Sequence, residues 1–569
     1  MSQRHKVNKH KNLKFRHMEN SNELQIDTLN LNRAQTRELG RKISRLTRGK
    51  VDLSSLLTGE DLVKTLDGIL TGLEPNLITL ADAYKYGHCV NYPDKLTKLV
   101  SYLESRGGKF EETVMFGLQY IIKKYLVGNV LSKEMIEEAD QKLNGEGGVF
   151  STPVFPKQQW LDLLEAYDGV IPVEIRAVAE GEVIPVKNVL MVIESTDDRF
   201  AWITNFLETL LLQVWYPITV ATLSREVKKI VVEYLTKTGA KKEDIPMMVQ
   251  FILNDFGFRG VSSVESAGIG GASHLVNFMG SDNIAGSEML QDYYKAEIMY
   301  GKSIIATEHS VMTLKGEEGE LSIMQQFLDN NPTGIIACVS DSYHIFRACR
   351  DYWGGILKEQ ILGRDGTLVI RPDSGHILRT LEEIFDILFD AFGYTINVVD
   401  GKEFKVLPPQ VRVLQGDGVN LDSIREMYEM LYDLGIGAEN LVLGMGGKLL
   451  QAGIDRDTQN FAVKACFAVI DGVGVEVVKS PTEMDADGKL HASFKVSKKG
   501  ELKLVEDGDS VKTVCSSQVS KEEFDALQCQ LGLVLRNGVL YTDHDIVDVR
   551  ERADVDYNID YSVKERELV

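Results

Sequence analysis

The feature that most constrains this chain is a device repeated along its second half: a short apolar run that stops on a polar or small residue. "SIIATEHS", "GIIACVSDS", "TLVIRPDSG", "VRVLQGDG" and "LVLGMGG" all have it, and "MVQFILNDFGFRG" precedes them. Each run is apolar on both faces, as a parallel strand covered by helices should be. The endings fall at Asp255, Asp282, His309, Asp341, Asp373, Asp417 and Gly446, 27 to 44 residues apart, about one strand plus one helix each time. Helical patterns such as "SYHIFRACRDYWGGILKEQIL" and "LDSIREMYEMLYDLGI" fill the intervals. Repeated β–α units make either a barrel or a doubly wound sheet, and both gather ligand groups at the carboxyl ends of the strands. A doubly wound sheet would concentrate polar tips at its switch point. Here successive strands each carry one, so the pattern favours an α/β barrel over 246–469.

At 569 residues the chain is too long for one core. "LHASFKVSKKGELKLVEDG" and "LGLVLRNGVLYTD" alternate like antiparallel strands, and Asn537-Gly538 signals a type I′ hairpin. They predict a second, mixed α+β domain built from 470–569 together with 73–245. Residues 1–50 hold 13 Lys or Arg against 4 acids, so the remainder carries −30 to give the net −21. An acidic body argues against nucleic acid as the main partner; the basic arm is where such a contact would form. Residues 1–72 read as a basic, flexible extension with short amphipathic helices in 52–72. Six scattered cysteines give no disulfide framework or metal-like spacing. No segment reads as membrane-spanning and the N-terminus lacks a signal peptide's apolar core, so a cytoplasmic location is expected.

"VIRPDSG" (369–375) is the most informative stretch. Arg371 offers a planar fork for phosphate or carboxylate, and Asp373 suits a metal or a sugar hydroxyl. "LQGDG" and "GMGG" add Gly-rich turns able to cradle an anion with backbone N–H groups. Arg259, Arg371, Arg412, Arg456, Lys464 and Lys479 supply positive charge at or near strand tips, although any one alone reads as an ordinary surface charge. Asp341 could orient the imidazole of His309. Taken together, these residues imply an enzyme that binds a phosphorylated sugar, with Mg²⁺, at a barrel mouth.

The chain resembles the nicotinamide phosphoribosyltransferases along "NLITLADAYKYGH", "FEETVMFGLQYIIKKYL", "VIPVEIRAVAEGEVIPVKNVL" and "WYPITVATLSREVKK". The likeness continues through "NDFGFRGVSSVESAGIGGASHLVNFMGSDNIAG", "ATEHS", "VSDSY", "VIRPDSG", "LQGDGV" and "GGKLLQ", covering roughly 76–550. It implies an irregular open α/β barrel of the type II phosphoribosyltransferase kind beside a second mixed domain, in a homodimer with shared sites. The implied reaction is nicotinamide plus phosphoribosyl pyrophosphate giving nicotinamide mononucleotide and pyrophosphate, helped by Mg²⁺ and ATP.

By motif, Phe256 would stack on the nicotinamide ring, Tyr84 of the partner subunit would close its other face, and Arg259 would lie in the same pocket. Asp282, as a buried carboxylate, would accept from the carboxamide and repel nicotinate. His309 matches the histidine phosphorylated by ATP, and Asp341 would orient it. Arg371 and Asp373 would hold ribose, phosphate and Mg²⁺ through water; Asp417, Gly446 and Gly447 would hold the ribose and its phosphate. Lys464, Lys479 and the partner's Arg106 would line the phosphate end, with Arg456 nearby. Ala337 and Ala462 stand where the family has hydroxyls, Lys448 replaces a glycine, and "LLQAGIDRD" is one residue longer, which puts affinity and ATP coupling in question. Two alternatives remain: a nicotinate phosphoribosyltransferase, and a non-catalytic binder on the same scaffold.

Overall fold

Alternating and continuous apolar runs separate most of the strands into two large sheets. The computed structural model describes residues 75–484, 489–492 and 496–558, and a ladder of Lys14–Phe15 with Leu24–Gln25. The rest of the basic extension, including the helices expected in 52–72, lies outside the described residues. Asn76–Val569 forms one compact unit, and Met1–Pro75 is a separate one.

The chain begins one sheet with Leu96–Ser105 (β1), Val173–Ala177 (β2) and Val189–Ser195 (β3), then crosses on the 23-residue helix Trp215–Lys237 (α1). The six strands of the second large sheet follow: Leu253–Asp255 (β4), Ile305–Ala306 (β5), Ile336–Val339 (β6), Leu368–Arg371 (β7), Val411–Gln415 (β8) and Leu441–Met445 (β9). Phe461–Ile470 (β10), Val473–Glu476 (β11), Gly532–Arg536 (β12) and Val539–Leu540 (β13) return to the first sheet. That sheet is antiparallel in the order β11-β10-β1-β3-β2-β12-β13. Asn537 and Gly538 both have positive φ, at 47° and 71°, as the type I′ turn requires.

The second sheet is parallel throughout, in the order β4-β9-β8-β7-β6-β5. Its outer strands approach one another through single parallel bridges, Asp255 to Ser281 and Gly280 to Lys302. Lys302 lies just before β5, so these bridges make the irregular seam of an α/β barrel. Strand alternation gives the barrel two faces. Ala337, Val369 and Leu414 point inward and pack with Val442 and Phe256. Ile336, Cys338, Ile370, Val413 and Leu443 point out to the helical layer. Helix α1 serves two cores, with Ile218 and Ala221 in one and Val220, Leu223 and Val227 in the other.

Helices Val264–His274 (α2) and Ile284–Tyr293 (α3) touch backbone to backbone. A Cβ on Gly286 would lie 2.6 Å from the carbonyl carbon of Gly271, so only glycine permits this approach. Within α2, buried His274 accepts from Ser224 Oγ at Nδ1 (3.1 Å) and donates from Nε2 to the Gly280 carbonyl (3.0 Å). Burial pushes its pKa down to about 4. A depressed histidine favours folding above its unfolded pKa of about 6.5, and the contribution fades as pH falls toward 4. The cost of His274→Gln in urea denaturation should therefore shrink by about 2 kcal/mol between pH 7 and pH 5. A pH-independent cost would contradict a neutral, structural His274.

Candidate active site

Every strand of the barrel ends toward one mouth, and hydrogen bonds join most of the tips. Asp341 follows β6 and is the node, its side chain only 4% exposed. Its Oδ1 lies 3.1 Å from Nε2 of His309. Its Oδ2 accepts from the Asp373 backbone N–H (2.9 Å) and from Ser374 Oγ (2.6 Å), both beyond β7. Arg371 closes β7 and donates from Nη2 to Asp373 Oδ2 at 3.2 Å. The Arg371 Nε is buried without a partner, a donor available to a ligand. His309 is about half exposed, so its ring is held on one side and open on the other.

The glycine turns complete the rim. A Cβ on Gly416 would lie 3.3 Å from Asp373 Oδ1 and 3.8 Å from the Phe256 ring, so the tips of β4, β7 and β8 converge there. Exposed Asp417 follows, its backbone carbonyl bonded by Gln415 Nε2 at 2.8 Å. Phe256 lies over Gly444, where a Cβ would clash with the ring at 2.1 Å. The turn carrying exposed Arg259 packs on the next glycines, since a Cβ on Gly260 would come within 2.8 Å of Gly447 Cα. Gly446 and Gly447 are half-buried at the mouth, with no side chain of their own to fill it.

Asp282 departs from expectation. It is exposed, not buried, because it follows a single bridge instead of a full strand. Ser303 Oγ donates to its Oδ1 at 2.5 Å. Arg412 is not at the mouth: Nη1 donates to the carbonyls of Leu407, Pro408 and Val411 at the opening of β8.

A second group lies on the antiparallel sheet. Lys464 on β10 pairs in register with Tyr102 on β1, two strands that bring Lys464 and Arg106 together. Burial lowers the Lys464 pKa, Glu208 opposes that shift, and the charges of Arg106, Lys479 and Lys85 add to it. Glu208 is ion-paired with buried Lys85 and lies 3.7 Å from Lys464. Arg106 contacts Glu104 at 3.4 Å and keeps a buried, unpartnered Nη2. Four cations against Glu208 and Glu104 leave positive charge for an anion. Tyr84, beside Lys85, is 62% exposed and meets His88 edge-on at 5.1 Å. Exposed Arg456 bonds Asp457, in a turn that docks through Thr458 O to Lys109 N (2.9 Å).

Residues 76–175 match the description of the nicotinamide phosphoribosyltransferase N-terminal domain, and 251–517 match the nicotinate phosphoribosyltransferase (NAPRTase) family. A nicotinamide phosphoribosyltransferase of Xanthomonas campestris pv. campestris (strain 8004) is 40% identical over 84% of this chain and 98% of its own length. The chain belongs to the nicotinamide phosphoribosyltransferase family. Another of that description, from Acinetobacter baylyi (strain ATCC 33305 / BD413 / ADP1), is 28% identical over 84% of this chain and 97% of its own. In fold, the chain is similar to the crystal structure of nicotinate-nucleotide pyrophosphorylase from Pyrococcus furiosus. The TM-score is 0.51 at 13% identity, covering 84% of this chain and 94% of the other. This is the type II phosphoribosyltransferase barrel.

Within this family member the expected residues fall into two groups. Phe256, Arg259, Asp282, His309, Asp341, Arg371, Asp373, Asp417, Gly446 and Gly447 ring the barrel mouth. Arg106, Lys464 and Lys479 lie together beside the antiparallel sheet of one chain and form one cationic group. Ser303, Lys85 and Glu208 were not singled out from sequence. Ser374 was expected within "RPDSG" only as a backbone donor, and the structure adds its hydroxyl bond to Asp341. Among the described residues, no helix is long and apolar enough to cross a membrane.

Proposed function

We propose that the protein transfers the phosphoribosyl group of phosphoribosyl pyrophosphate to nicotinamide, giving nicotinamide mononucleotide and pyrophosphate for NAD biosynthesis. The pyridine nitrogen attacks C1 of the ribose, the bond from C1 to the pyrophosphate oxygen breaks, and the electron pair leaves with pyrophosphate. The observation that carries this reading is Asp341, whose two oxygens join His309 to the "RPDSG" turn on a chain of this family. Phe256 supplies a face for the base, Asp282 and Ser303 an acceptor and a hydroxyl for its carboxamide, and Arg371 a fork for phosphate. Asp417 and the backbone N–H groups of Gly446 and Gly447 hold the ribose and its phosphate.

Asp373 fits a water-mediated Mg²⁺: Oδ2 serves Arg371, while Oδ1 faces the Gly416 turn. Among the described residues no group of three or more acidic, His or Cys side chains could cage a metal. That suits an ion held chiefly by substrate phosphates and water. Bound there, Mg²⁺ would neutralise the leaving pyrophosphate.

ATP enters through His309. Asp341 engages Nε2 and leaves Nδ1 to take the γ-phosphoryl group: the bond to ADP breaks, an N–P bond forms, and water later releases phosphate. The working unit is a homodimer in which the partner's Tyr84, Arg106, Arg456, Lys464 and Lys479 complete each mouth. Ile305 (58% exposed) and Leu314 (80% exposed), on either side of His309, are apolar surface such a partner would cover. The free cysteines, four of six buried, suit the reducing cytoplasm. Pyrophosphate release requiring nicotinamide and Mg²⁺ together, matched one for one by nicotinamide mononucleotide, is the expected result. No release with either base would overturn the reading.

A further inference from the structure

Asp255 is a carboxylate beneath the candidate base pocket that the chemistry above leaves without a task. It is fully buried at the end of β4. Phe256, the next residue, points into the barrel, so strand alternation sends the Asp255 side chain the other way, into the helical layer. Its Oδ1 accepts the backbone N–H of Gly257 at 2.7 Å, and its Oδ2 accepts Asn283 Nδ2 at 3.0 Å. Its backbone carbonyl accepts the N–H of Asp282 at 3.0 Å. Asn283 sits at the N-cap of α3, yet its side chain makes no cap. It turns inward, bonding Asp255 and the Ala267 carbonyl (2.8 Å), and its own Oδ1 is buried without a partner.

We infer that Asp255 is a specificity-determining positioning residue, clasping the turn of Phe256 to the loop of Asp282 and adding a buried negative charge that disfavours an anionic base. The inference rests on the proposed placement of the base between Phe256 and Asp282. Nothing cationic offsets this charge among the described residues. From α1 it is faced by Tyr216, whose hydroxyl donates to the Leu450 carbonyl (2.8 Å). From the loop it is faced by Asp282, from β9 by Met445, and from α2 by the Ala267 backbone. Asp282 is exposed and its field is screened by solvent, whereas the Asp255 charge lies in a low-dielectric interior and acts over a longer range. Burial pushes the Asp255 pKa up to about 6, against the bonds from Gly257 and Asn283 and with help from Asp282. Its protonation as pH falls through that value removes the charge and weakens the clasp.

The test measures kcat/KM for nicotinamide and nicotinate between pH 5 and 8 in the full-length protein, the Asp255→Asn variant and the Asn283→Ala variant. In the parent, preference for nicotinamide should include a component lost as pH falls through about 6. Asp255→Asn should lower the preference at pH 8 roughly tenfold, with that component gone. Asn283→Ala removes a donor to the carboxylate and should move the inflection up by about half a pH unit or more. A parent that makes neither nucleotide, or prefers nicotinate, would defeat the functional reading itself. A parent preferring nicotinamide, with the same preference and pH profile in a folded Asp255→Asn, would overturn only the role of Asp255. If Asp255→Asn does not fold, an unmoved inflection in Asn283→Ala overturns it equally.

Discussion

Asp341→Ala is expected to abolish ATP turnover and to slow nucleotide synthesis about a hundredfold, whereas His309→Ala should abolish ATP turnover and leave slow synthesis in place. The two differ because His309 uses only one of the Asp341 oxygens. The other holds the Asp373 N–H and the Ser374 hydroxyl, and through Asp373 the fork of Arg371. Removing the carboxylate frees three hydrogen bonds, each worth about 1 kcal/mol net, around groups that must be held within a fraction of an ångström. Two lost decades correspond to about 2.7 kcal/mol, well within that range. Steady-state assays of ADP and of nicotinamide mononucleotide on both variants separate the cases. Equal synthesis by the two would confine Asp341 to orienting His309. Unchanged ATP turnover in His309→Ala would remove the phosphohistidine from the account.

Gly444→Ala should raise the KM for nicotinamide at least tenfold while the KM for phosphoribosyl pyrophosphate changes little. The added Cβ would lie 2.1 Å from Phe256 Cε2 and 2.4 Å from Cδ2, separations no carbon pair sustains. Either the ring leaves its place or β9 shifts in the barrel, and the face offered to the base is lost in both cases. Overpacking of this kind costs roughly 1–3 kcal/mol, so the variant is expected to fold with a lowered Tm. Normal nicotinamide KM in a folded Gly444→Ala would mean that the base does not use this ring.

The barrel strands and most of the residues at their tips were legible because continuous apolar runs and β–α spacing are local signals. The contact between His309 and Asp341 was legible as a possibility only; parallel pairing of β5 with β6 is what turns a spacing of 32 residues into 3.1 Å. Arg412 misled because composition does not tell which end of a strand a long side chain reaches. Asp282 misled because its run forms single bridges, and a loop left outside a ladder stays open to solvent. The grouping of Arg106 with Lys464 depends on antiparallel register between β1 and β10, strands more than 350 residues apart, and no local pattern encodes that. Asp255 was noted as a strand ending, but its role needed alternation to be applied one residue further: it and Phe256 must face opposite ways.

The central claim is that this barrel mouth joins a neutral amide base to phosphoribosyl pyrophosphate. Its most direct test gives the purified protein equal nicotinamide and nicotinate with limiting phosphoribosyl pyrophosphate and Mg²⁺ at pH 8, and identifies the nucleotide by mass. Nicotinamide mononucleotide should dominate the product; a predominance of nicotinate mononucleotide would contradict the account.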